Sequence, residues 1–171
     1  MKTKEQILND SFLPKLFNDC VKMQNNAIGK IQVGCVLEAM DYSDDVYIGG
    51  STFLFYGANL HISDSFADIH AEQLAINLAI LKKCYPITIY VTSTSKDEDV
   101  FLCGQCRQYI CEVNENCNVV IFNPDGSVKR IGTISEYFPY HKDVKNKNQK
   151  FYELCGGKGL QSHSTVERKE I

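Results

Sequence analysis

The chain has 171 residues, 44% of them hydrophobic and 23% charged, with a formal net charge of −3. That length suits one well-buried core and is short for two, and the composition excludes a fibrous or largely disordered protein. With a mildly acidic balance and no strongly basic half, nothing favours bulk nucleic-acid binding, and the polar start, Met1 to Gln6, leads into no long apolar run, so a cytoplasmic protein without a membrane span is expected.

Between Lys4 and Met23, Ile7, Leu8, Phe12, Leu16, Phe17 and Val21 recur at helical spacing, and Pro14 predicts a break or a fresh helix start. Asn25-Asn26 marks a turn. Ile31 to Met40 and Val46 to Asn59 are rich in β-branched and aromatic residues and read as two antiparallel strands joined through the acidic stretch Asp41 to Asp45. Gly49-Gly50 suggests a bulge or a longer turn within the second. Ile69 to Leu81 is apolar almost all round, which predicts a buried helix with Asp68 as its N-cap. Ile87 to Thr92 is a short strand after Pro86, and Ser93 to Asp99 a polar, acidic loop. Cys103 to Val113 follows as a second helix, Asn118 to Phe122 as a strand, Asn123-Pro124-Asp125-Gly126 as a turn, and Val128 to Ile134 as the last strand. Strand and helix alternation of this kind implies an α/β fold, a mixed sheet of about five strands covered by helices. Residues 1–141 form one domain in this reading, with 4–23 an N-terminal helical segment and 142–171 a polar tail, partly ordered at best.

The eight cysteines, Cys20, Cys35, Cys84, Cys103, Cys106, Cys111, Cys117 and Cys155, are unevenly spread. In a reducing compartment metal binding accounts for a close Cys-x-x-Cys pair better than a disulfide does. Cys35 and Cys84 lie in apolar runs and read as small buried hydrophobes, and Cys111 is given no role. Cys103 and Cys106 open a helix, where backbone N–H groups and the helix dipole favour thiolates. No complete second pair spells a four-cysteine structural site, and no thioredoxin-like context surrounds this one. By itself the pair leaves metal and non-metal roles open.

His70 and Glu72, in the first turn of the preceding helix, alter the balance. An imidazole with two thiols is an accepted three-ligand set for a zinc that keeps one position open to water. A carboxylate beside such a site, and not bound to the metal, can carry the water's protons. Glu72 also sits in a mostly apolar helix, where a buried carboxylate needs a partner.

His70-Ala71-Glu72-Gln73 followed by Cys103-Gly104-Gln105-Cys106-Arg107-Gln108 resembles the cytidine deaminase family. The likeness takes in Val33-Gly34-Cys35 and Gly57-Ala58-Asn59 upstream, and Asn123-Pro124-Asp125-Gly126 and Glu136-Tyr137-Phe138-Pro139 downstream. It therefore spans most of Ile31 to Pro139, with Leu102 standing where the motif has proline. The resemblance implies a three-layer α/β/α domain and one zinc per chain, held by His70, Cys103 and Cys106. It implies that Glu72 takes a proton from the activated water, delivers it to N3 of the pyrimidine and later helps ammonia leave. Uncharged Gln73 behind the site suits a neutral zinc with two thiolates and one imidazole. Substrate-side residues would be Asn59, His61, Ile31 and Ala71. The family also implies a homotetramer, a dimer being possible, that works on small cytosine nucleosides in pyrimidine salvage.

The departures lie on the sugar side. The family's Asn-x-Glu reads Asn59-Leu60-His61 here, an aromatic before the Val-Gly strand is Ile31, and another aromatic position falls on Lys142. Drift, with Tyr140, His141 or Phe66 filling the space, is one account. The other is a changed substrate: a modified cytosine nucleoside, a nucleoside antibiotic such as blasticidin S, or a nucleotide. A zinc domain that binds a ligand or partner without catalysis is the reading from another class. A nucleic-acid deaminase is disfavoured by the acidic balance, the absence of Trp and the Cys-Gly-x-Cys-Arg-Gln form.

Overall fold

A computed structural model of the chain describes residues 2–41, 51–62, 68–95 and 102–138. Gly49-Gly50, Phe66, most of the acidic loop after Ser95, Lys142 and the tail lie outside the described residues. Two helices open the chain, α1 (Lys4–Leu8) and α2 (Leu13–Asn25). Thr3 caps α1, its hydroxyl accepting from the Gln6 N–H at 3.2 Å while the Gln6 side chain accepts from the Thr3 N–H at 2.8 Å. Pro14 falls in the first turn of α2, where its missing N–H has no helical partner to lose.

Next come β1 (Val33–Asp41), β2 (Thr52–Ala58), α3 (Ala71–Leu81), β3 (Cys84–Ser93), α4 (Gly104–Val113), β4 (Asn118–Phe122), β5 (Val128–Thr133) and the short α5 (Ile134–Tyr137). The strands form one mixed five-stranded sheet in the order β2-β1-β3-β4-β5. The β3–β4 pair is parallel and the other pairs are antiparallel. Alternate residues of β1 enter different cores. Cys35 and Leu37 pack with Ala75, Ile76 and Ile110 under α3 and α4, whereas Val36 packs with Ile7, Leu16 and Cys20 under α1 and α2. Helices thus cover both faces of the sheet, giving three layers.

Three local readings are corrected. β3 begins at Cys84 and contains Pro86, which lies opposite Ala39 where the β1 register shifts. A bulge tolerates a residue with no N–H, and the Pro86 carbonyl is taken by the Asn114 amide at 2.8 Å. β1 begins at Val33, two residues later than its β-rich composition suggests, because the chain around Ile31 is held by a side chain of the site. His70, not Asp68, is the N-cap of α3, and no side chain caps that helix. Asp68 instead belongs to an extended stretch in which Ile69 bridges Leu60 antiparallel.

Close layer packing is set by glycine. A Cβ on Gly57 of β2 would lie 1.9 Å from the Ala71 carbonyl oxygen, so the first turn of α3 rests on the strand backbone itself. Cys35 and Cys84 are buried as small apolar groups. Among the described residues no helix is long and apolar enough to cross a membrane.

Candidate active site

Two helix starts meet beyond the C-terminal ends of the parallel strands β3 and β4, the usual place for a ligand in an α/β sheet. His70 caps α3 from an extended conformation, and Glu72 follows in its first turn, buried at 5% exposure. Cys103 caps α4, its sulfur accepting from the Cys106 N–H at 3.4 Å. Helix geometry then turns Cys106 inward, so that the motif delivers one exposed thiol and one buried thiol.

The ligand atoms of His70, Cys103 and Cys106 all lie within 4.8 Å of one another. Donors on a tetrahedral zinc, at about 2.0–2.3 Å from the metal, stand roughly 3.3–3.8 Å apart, so the cluster has the right size and the right chemistry. Cys103 Sγ is 3.4 Å from His70 Nδ1, and the Cys106 thiol donates to Glu72 Oε2 at 3.4 Å. The electrostatics are uneven. Hydrogen bonding from Cys106, with help from the backbone N–H groups of Cys106 and Gln105 and from His70, outweighs burial and holds the Cys103 thiol down to about 5. Its neighbour Cys106 is pushed far up, first by Cys103 alongside and then by burial. Burial raises the Glu72 carboxyl above its usual range, which brings its proton affinity toward that of a group that both takes and gives protons near neutrality.

A cavity of about 660 Å³ opens over these groups, within the range of small-molecule sites. His70, Ala71, Glu72 and Cys103 form its floor. Val91, Ile121 and Phe122 supply apolar wall, and Thr92, Ser93 and Asn123 polar wall. Ile31, Asn59 and His61 line the remaining side, so the four substrate-side residues expected from the sequence all border the cavity. Cys106 lies behind the floor, and half-buried Gln73 is on α3 outside the lining.

Asn59 is bonded to backbone through both ends of its amide. Its amide nitrogen donates to the Ile31 carbonyl at 2.9 Å, and its oxygen accepts from the Val33 N–H at 2.6 Å. It holds the wall in shape. His61 pairs through Nδ1 with Asp68 Oδ2 at 2.7 Å, and Asp68 also lines the cavity. Two residues here escape a reading of the sequence: an acid before an apolar helix, as at Asp68, reads by default as a cap, and Gly57 gives no local sign of the helix that lies upon it.

A helix-covered mixed sheet brings two thiols, an imidazole and a buried carboxylate together at two helix starts, in an α/β domain whose His70, Cys103 and Cys106 could hold a metal ion. No protein-family model matches the chain. In sequence it is 30% identical over 150 residues to a cytidine deaminase of Shewanella woodyi, covering 86% of this chain and 44% of that one. It is 32% identical over 126 residues to cytidine deaminase 3 of Arabidopsis thaliana, covering 70% and 53%. The solved cytidine deaminase of Burkholderia pseudomallei superposes with a TM-score of 0.61 at 21% identity, covering 75% of this chain and 97% of that one. The Mycobacterium leprae enzyme does so with a TM-score of 0.54 at 20% identity. The chain is similar to the cytidine deaminases in sequence over most of its length and shares the fold of the solved ones. It spans about half the length of the curated relatives it matches, 44% and 53% for the two above.

Proposed function

We propose that the chain is a zinc-dependent hydrolytic deaminase that converts cytidine or deoxycytidine to the uracil nucleoside and ammonia. The observation that carries this is the position of Glu72, a buried carboxylate on the cavity floor within reach of three metal donors and raised in proton affinity by burial. His70, Cys103 and Cys106 would hold a zinc ion, which when bound would supply the Lewis acidity that makes water nucleophilic near neutral pH. Glu72 takes a proton from the attacking water and gives it to N3 of the ring while the oxygen bonds to C4. It then passes the second proton to the exocyclic amine, the C4–N bond breaks and ammonia departs, leaving a 4-oxo ring protonated at N3. Apolar Val91, Ile121 and Phe122 exclude bulk water from the base, which strengthens each of these proton transfers.

The reading extends to a cytoplasmic homotetramer in pyrimidine salvage. Exposed Ile28, Ile31, Ile62 and Ile69, grouped on the segments beside the cavity, are in keeping with a face covered in an assembly. Light scattering checks it, and a monomer would remove this part.

Incubating zinc-loaded protein with a substrate panel, and following product mass, tests the reaction. Cytidine and deoxycytidine should both lose 17 mass units as ammonia and gain 18 as water, a net shift of about +1. A panel that also contains the monophosphates and blasticidin S separates this reading from that of a modified nucleoside, for which His61 and Ile31 are the motive. Zinc at one per chain with every compound unchanged would leave a silent metal domain.

A further inference from the structure

We propose that the cavity holds a subsite for a phosphate on the sugar of its substrate, with Lys30 as the recognising cation, and that cytosine nucleotides are turned over in preference to free nucleosides. This rests on the reading of the cavity as a site of cytosine deamination and adds a group beyond the nucleoside.

The subsite follows from the sheet. Four strand ends form one rim, in the order β1, β3, β4, β5. Val33 at the start of β1 pairs with Ser93 at the end of β3. The pairing runs on past both strands, the Gln32 N–H donating to the Thr94 hydroxyl and the Thr94 N–H to the Gln32 carbonyl, each at 2.9 Å. That register carries Lys30 and Ile31 toward Ser95. The parallel pair Val91 and Ile121 brings Asn123 alongside Ser93, and Phe122 opposite Val128 brings in Lys129. Lys30, Ser93, Ser95, Asn123 and Lys129 all line the cavity. One edge of the sheet thus presents two lysines with two hydroxyls and an amide between them.

No acid opposes them on that rim. Among the described residues the carboxylates lining the cavity are Asp68 and Glu72. Asp68 is paired with His61 at 2.7 Å, and Glu72 is buried in the floor. Lys30 is exposed, and no carboxylate among the described residues pairs with it. Its segment lies close against the Asn59 wall, since a Cβ on Gly29 would come within 2.9 Å of the His61 Cβ, and the neighbour it meets there is an imidazole and not an acid. The Ser93 hydroxyl oxygen accepts from the Ser95 N–H at 3.1 Å, which leaves its own hydrogen to be donated. An ammonium with hydroxyl donors beside it is the chemistry that a phosphate monoester asks for, and the positive rim attracts such an anion before contact. The cavity, at about 660 Å³, has room for that group beside a nucleoside.

The test is a cycle between substrate charge and side-chain charge, using the zinc-loaded full chain. Turnover of cytidine, its 5′-monophosphate and its 3′-monophosphate is measured for the wild type, Lys30→Ala and Lys30→Glu, and read as the ratio of kcat/KM for nucleotide over nucleoside. In the wild type one of the two esters should exceed cytidine by about tenfold or more, the effect of one charge-assisted hydrogen bond, and the ester that does so locates the phosphate on the sugar. Lys30→Ala should lower that ratio at least about threefold, and Lys30→Glu should bring it to about one or below. In about 1 M salt, where the screening length is about 3 Å, the wild-type ratio should fall toward one. A wild-type ratio of one or less for both esters overturns the proposal, as does a ratio that Lys30→Glu or salt leaves unchanged. A merely structural role for Lys30 would lower all three substrates together, keep the ratio and so overturn it too. A wild type that deaminates none of the three defeats the deamination reading alone, and the same comparison is then read from calorimetric Kd values. Tighter binding of a nucleotide that disappears in Lys30→Glu sustains the subsite, and equal or absent wild-type binding overturns it.

Discussion

The His/Cys/Cys end of the cavity and the wall around Asn59 are built by opposite rules. At the metal end, His70 and Glu72 share one helix start, and Cys103 and Cys106 share another. Local helix geometry sets each spacing, and the fold has only to lay α3 beside α4. The wall contains no regular element. Ile28 is tied to Asn59 and to His61 by backbone bonds of 3.0 and 2.7 Å, Leu60 and Ile69 exchange a pair at 2.9 and 3.0 Å, and the Asn59 amide closes the set. Register alone decides which side chains of these segments border the cavity.

Perturbations of the two regions should consequently differ in kind. The largest effect is expected from chelation of the zinc-loaded protein: turnover should fall to background, Tm should drop, and both should return with added zinc. Full activity after verified metal removal would break the distinction at its root. Glu72→Gln comes next, with kcat lower by about 10²–10⁴-fold while bound zinc stays at one per chain and KM moves little. A variant that lost zinc as well would make Glu72 part of the metal scaffold. On the other side, Asn59→Ala releases the Ile31 carbonyl and the Val33 N–H. It should raise KM by about tenfold with a smaller change in kcat, and cost about 1–2 kcal/mol in urea unfolding. A pure kcat defect would show that the wall and the metal end are not separable. The smallest effect is expected for Ile31→Ala. Its side chain is about half exposed at the rim, at 49%, and KM should stay within about twofold.

The same contrast explains what the sequence discloses. Alternating strand residues such as Cys35, Val36 and Leu37, and the apolar run of α3, carry the layered fold openly, since periodicity reports burial. His-x-Glu and Cys-x-x-Cys disclose the chemistry because their function depends on near neighbours in the chain. The Pro86 strand and the pairing of Asp68 with His61 stay hidden for a shared reason. One depends on a register shift in β1, the other on a bridge to Leu60, and neither partner is adjacent in sequence. The central place of β1 between β2 and β3 is equally silent, because an edge strand and an inner strand can share one local pattern.

Gly57 links the two regions mechanically. With no side chain between them, the α3 start is referenced to the main chain of β2, not to a compressible layer of core atoms. Asn59, on the wall, lies immediately past the end of that same strand. A single residue inserted between Gly57 and Asn59 should therefore shift the Asn59 wall against Glu72 while leaving His70, Cys103 and Cys106 in place.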